Sequence, residues 1–65
     1  MQEHVVPLYT LKKAKKNGTA KLVQQTLLTV LKNETVIRIE DDNGEAVAIL
    51  NNAREFANWW NKTLG

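Results

Sequence analysis

Asn43-Gly44, set between two runs of strand-forming residues, constrains this chain more than any other stretch. Asn-Gly is the strongest short-range signal for a β-hairpin, because both residues tolerate the positive φ that tight turns require. The arms are Thr35–Glu40 and Glu45–Leu50, both rich in residues that suit a pleated, half-buried surface. Loop size decides which side chains share a face. A two-residue turn puts Ile37 and Ile39 on the face of Ala48 and Leu50. A three-residue loop, with Gly44 left-handed in a bulge position, pairs them with Val47 and Ile49 instead. The second arrangement gathers four β-branched residues on one face, and it is the one expected.

A 65-residue chain has room for one domain. A domain of this size buries only about 60% of its unfolded surface, so its core is small. With no cysteine there is no disulfide and no thiolate metal site to supplement that core. Oligomerisation is the common remedy, and a homodimer is expected. No apolar run approaches the roughly 20 residues that span a bilayer. The start, Met-Gln-Glu-His, lacks the basic and apolar regions of a signal peptide. A cytoplasmic protein without membrane contact is the expectation.

Around the hairpin, the order of elements is legible. His4–Thr10 has strand-like residues interrupted by Pro7, which lacks the ladder donor, so it reads as an edge strand or an extended arm. Leu11–Asn17 reads as a lysine-rich helix stopped by Asn17-Gly18, or as a basic loop. Residues 1–18 together form a basic arm that is either ordered or mobile. Thr19–Lys32 reads as a helix with Thr19 as N-cap. Val23, Leu27, Val30 and Leu31 form its stripe, extended by Thr26, with Leu22 and Leu28 at the margins. Asn52 caps a last helix, with Glu55 at the third position completing a capping box. Ala53, Phe56, Ala57, Trp60 and Leu64 form the stripe expected to be buried there. Strand or arm, helix, hairpin, helix makes an α+β fold, a two-layer domain with one sheet face packed on helices.

Catalysis finds little support in these residues. His4 is the single histidine, near a terminus, with no cysteine to activate. Glu40, Asp41, Asp42 and Glu45 lack the alternating ligands and distal bidentate Glu of a calcium loop, and read as solvated turn residues. One glycine cannot cradle a phosphate as a P-loop does. A non-enzyme without metal or cofactor is expected.

Charge, by contrast, is unevenly placed. Residues 1–32 hold six lysines against Glu3, whereas residues 33–65 hold Arg38, Arg54 and Lys62 against six acids. Lys12, Lys13, Lys15, Lys16 and Lys21 lie within ten residues, just after Tyr9 and Thr10, and no acid occurs between residues 4 and 33. Such a run is ordinarily a solvated face, but lysines also neutralise nucleic-acid phosphates. The segment has no arginine, so its contacts would be to backbone rather than to base edges. Trp59-Trp60 is the other marked feature. Adjacent residues on a helix cannot both point inward, so Trp59 falls at the stripe's edge, either folded over the core or as an interface residue.

The run Val36–Leu50, with Glu55, Phe56 and the last helix, resembles the Phd/YefM (prevent-host-death) antitoxins over about residues 19–64. The resemblance implies the order strand, helix, hairpin with a polar-Gly turn, Ala-Val-rich return strand and aromatic-bearing helix. It also implies a homodimer joined through the sheet and an N-terminal operator-binding region. The arginine that the family carries before its long helix has no counterpart here, nor does its toxin-neutralising tail. The expected function is a small dimeric DNA-binding regulator contacting double-stranded DNA through Lys12, Lys13, Lys15, Lys16 and Lys21. Two alternatives stay open. One is a phage- or plasmid-encoded protein-binding module, an inhibitor of a host protein, using Trp59 and the acidic hairpin tip. The other is a small phage structural protein.

Overall fold

The computed structural model describes residues 2–65; Met1, the first residue of the basic segment, lies outside the described residues. The elements run β1 (Gln2–Pro7), α1 (Leu8–Asn17), α2 (Ala20–Lys32), β2 (Thr35–Glu40), β3 (Ala46–Leu50) and α3 (Ala53–Thr63). It is an α+β fold, with a three-stranded sheet in the order β1-β2-β3. The first strand pairs parallel to β2, and β2 pairs antiparallel to β3. A parallel neighbour requires a crossover, which α1 and α2 provide. Of the readings left open for the first 18 residues, the structure has the edge strand and the helix, but the strand is Gln2–Pro7 rather than His4–Thr10, and Leu8, Tyr9 and Thr10 belong to α1.

Local chemistry explains the boundaries. Pro7 cannot donate to a ladder and has its φ held near the helical value, so it closes β1 and leads into α1. The end of α1 is a Schellman cap. Gly18 adopts φ 79°, and the N–H of Thr19 donates to the Ala14 carbonyl at 2.9 Å. Thr19 stands at the N-cap position of α2 as expected, but its hydroxyl does not cap. It donates back to the Ala14 carbonyl at 3.3 Å, fastening the two helices at their joint. At α3 half of the capping box is present: Asn52 Oδ1 accepts from the Glu55 N–H at 2.9 Å, while the Glu55 carboxylate accepts from the Asn52 side-chain amide at 3.4 Å rather than from its backbone N–H. Glu34, after α2, takes a left-handed φ of 61°, a conformation that costs a residue with a Cβ about 1–2 kcal/mol.

The hairpin loop is the expected three-residue one, yet the pairing of faces is not. Asp41 donates its N–H to the Glu45 carbonyl at 2.9 Å, and Gly44, at φ 80°, donates to the Asp41 carbonyl. Asp41 Oδ1 accepts from the N–H groups of Asn43 and Glu45 and fixes the turn. Beyond Glu40↔Ala46 the register shifts, leaving Val47 as the extra residue of a bulge. Ile39 then faces Ala48 and Ile37 faces Leu50, which overturns the expected pairing with Val47 and Ile49. The cause is tertiary. Because α3 packs on β3, the bulge presents one small and one large side chain, Ala48 and Leu50, to the helix layer.

One core joins the layers: Val6 from β1, Leu11 from α1, Leu27 and Leu31 from α2, Ile37 and Ile39 from β2, Leu50 from β3, and Phe56 and Trp60 from α3. The α3 stripe is narrower than expected, since Ala53 and Ala57 are exposed while Phe56, Trp60 and Leu64 are buried. The helix packs on β3, and its i, i+4, i+8 row fills the core, with Trp59 half-buried at the margin. Thr26 is likewise exposed, its hydroxyl donating to the Leu22 carbonyl at 3.0 Å. No helix among the described residues is long and apolar enough to cross a membrane.

Candidate nucleic-acid interface

Helix α1 buries Leu11 and Ala14 and exposes everything charged. At 100° per residue, Tyr9, Lys12, Lys13 and Lys16 fall within an arc of about 100°, centred opposite the midpoint of Leu11 and Ala14. Tyr9 is 62% exposed, although it is a large aromatic residue. It lies one turn before Lys12 and Lys13, and Lys16 follows one turn later. These four side chains therefore form one outward stripe along α1. Lys15 is exposed but turned toward the Leu11 flank. Lys21 is exposed in the first turn of α2, beyond the Gly18 cap. Sequence reasoning placed all five lysines in one set, whereas the structure joins three of them with Tyr9. The i, i+3, i+4 spacing from Tyr9 was the available signal for that fourth member.

Electrostatics leave this stripe unopposed. Among the described residues the one ion pair is Arg38–Glu40 at 2.8 Å, on the central strand, so no carboxylate is engaged with the stripe lysines. Lys15 and Lys16 lie in the last turn of α1, where cations also favour the helix dipole. That structural benefit belongs to two of the four α1 lysines; Lys12 and Lys13 lie earlier in the helix. Glu40 stands opposite Pro7 in register, so the acidic tip Asp41–Glu45 projects from the end of the sheet where α1 begins. Positive charge then accumulates along α1 away from that end.

Trp59 and the lysines do not come together. α1 packs on β1 and α2, whereas α3 packs on β3 and α2. Trp60 is buried with its ring centroid 5.7 Å from that of Phe56; Trp59 is half-buried against the same core. The far side of the sheet carries no helix. There Val5, Arg38 and Ile49 stand side by side across the three strands, and Val5 and Ile49 are about half exposed. Among the described residues no group of three or more His, Cys, Asp or Glu is placed to hold a metal ion.

No family model, characterised protein or solved structure matches this chain.

Proposed function

We propose that this protein is a small dimeric DNA-binding regulator in which the outer stripe of α1 meets the phosphates of double-stranded DNA. The observation that carries this reading is the stripe itself: Tyr9, Lys12, Lys13 and Lys16 on one exposed helix face, without an acidic partner. An α-helix with its side chains is about 10–12 Å across, which suits a major groove about 12 Å wide. Lysine supplies a point charge rather than a bidentate fork, so these side chains hold the duplex by its backbone. The strand, long helix, hairpin and last helix follow the order that the Phd/YefM resemblance implies, with one helix more, α1, between the strand and the long helix. The uncovered sheet face, with Val5 and Ile49 flanking Arg38, is the surface assigned to the dimer, in keeping with the sheet-joined homodimer that the resemblance implies.

Binding to a duplex measured across a salt series tests the proposal. Converting Lys12, Lys13 and Lys16 to Gln leaves the core untouched and should flatten the plot of log K against log salt by about 0.9 for each phosphate no longer neutralised. Absence of duplex binding by the unaltered protein at low salt overturns the reading.

A further inference from the structure

A groove of about 350 Å³ runs between the β1 edge of the sheet and helix α2. His4 and Val6 form the strand wall, on the side of β1 that faces the helices. Leu22, Val23 and Thr26 form the helical wall, with Leu27 buried beneath. Leu22 is 65% exposed, the highest value among the large apolar side chains described. Its position at the margin of the α2 stripe suggested a partly buried residue, but it stands free beside the groove.

β1 is an edge strand whose single sheet neighbour is β2, so its alternate backbone N–H and C=O groups point outward without a strand to receive them. An unpaired strand edge facing a helix across an apolar cleft is the geometry that receives an extended segment as an added strand. Main-chain hydrogen bonds then supply affinity, and alternate side chains enter the cleft. Pro7 lacks an N–H and limits the donors to the residues before it, so the segment is short. Charge narrows the chemistry further. Lys13 lies one turn after the groove residue Thr10, whereas Glu3 stands at the other end of β1 beside the groove residue His4. The rim therefore favours a negative flank at the α1 end and disfavours one at the Glu3 end.

We infer that this groove binds an extended peptide segment of a partner protein, apolar at alternate positions and acidic at the end beside α1, which pairs with β1 as a fourth strand. The site adjoins the proposed DNA stripe at Lys13 but rests on the β1 edge and its apolar cleft, not on the DNA reading. Thr10 lines the groove and belongs to α1, so an occupant adjoins the basic helix.

The test is selection of a displayed library of random nine-residue peptides on the immobilised protein, with Leu22→Glu as the counter-target. Leu22 is exposed, so this substitution spares the fold, which circular dichroism checks. The expected result is enrichment of peptides with alternating apolar residues and Asp or Glu at one end. A synthetic peptide of the enriched sequence should slow amide exchange at residues 3–6 and bind the Leu22→Glu variant about tenfold or more weakly. Methylation of its central backbone nitrogen should weaken binding to a similar degree. No enrichment over the Leu22→Glu counter-target overturns the inference, as does exchange protection confined to another surface. If Leu22→Glu instead dissociates a dimer of the chain, the groove belongs to a second copy and the inference also fails. Duplex binding should be retained in the same variant, which keeps this test distinct from that of the DNA reading.

Discussion

The bulge at Val47 makes a sharp prediction about two adjacent residues. In the observed register Leu50 lies beside Ile37 under the helix layer and is 4% exposed, whereas Ile49 lies on the uncovered face and is 48% exposed. Truncating a buried leucine removes its transfer free energy, about 1.5–3 kcal/mol, and leaves a cavity whose lining relaxes only in part. Ile37, fully buried, and Phe56, 2% exposed, belong to the same cluster and have little room to collapse inward. Leu50→Ala should therefore cost about 3 kcal/mol. Ile49→Ala trims a side chain on a half-wet surface and should cost the isolated chain under about 1 kcal/mol. With a urea slope of about 1 kcal/mol per molar for so small a domain, the midpoints should fall by about 3 M and under about 1 M. A core of this size supplies little more than about 3–5 kcal/mol, so Leu50→Ala leaves a chain near its folding threshold. Urea unfolding at several protein concentrations separates the terms, because any weakened self-association in Ile49→Ala appears only as a concentration-dependent shift. If Ile49→Ala proves the costlier variant at every concentration, the loop closes without the bulge and the assignment of faces is wrong.

Two further predictions concern the helices. Trp60→Ala, which empties a buried site packed on Phe56, should cost about 3–5 kcal/mol and leave little folded protein by circular dichroism; Trp59→Ala, at the margin of the same core, should keep the fold and leave self-association through the opposite sheet face unchanged, as sedimentation would show. Glu34→Gly should raise the unfolding free energy in urea by about 0.5–1 kcal/mol, since relief of the left-handed strain at φ 61° exceeds the added flexibility of the unfolded chain. An unchanged or lower value would mean that the Glu34 side chain contributes more than its backbone costs.

Where a signal was local, the chain could be read directly. Asn43-Gly44 specified the hairpin turn, Asn17-Gly18 the end of α1, and Asn52 with Glu55 the start of α3. Each depends on hydrogen bonds spanning a few residues, and side-chain chemistry there has no competitor. The phase of β3 was not legible, because the bulge answers to α3 packing on the strand, which no local pattern encodes. Grouping β-branched residues was a sound strand argument, but the helix layer selected Ala48 and Leu50. Glu34 in a left-handed cap was equally hidden, as glutamate carries no turn signal. At the candidate site, the five lysines were evident from composition, but their division was not. That division follows from which side of α1 meets β1 and α2, a property of Leu11 and Ala14 rather than of the lysines themselves. The groove beside β1 depends on where α2 lies across the sheet, and a stripe-margin leucine gives no hint of it.

The central claim is that the outer face of α1 is the DNA-binding surface, and an amide chemical-shift titration with a short duplex at low salt addresses it residue by residue. The account predicts shifts concentrated at Tyr9, Lys12, Lys13 and Lys16, smaller ones at Lys15 and Lys21, and none at the acidic tip Asp41–Glu45. All should fade as salt is raised. Absence of shifts along α1, or shifts centred on α3 around Trp59, would contradict it.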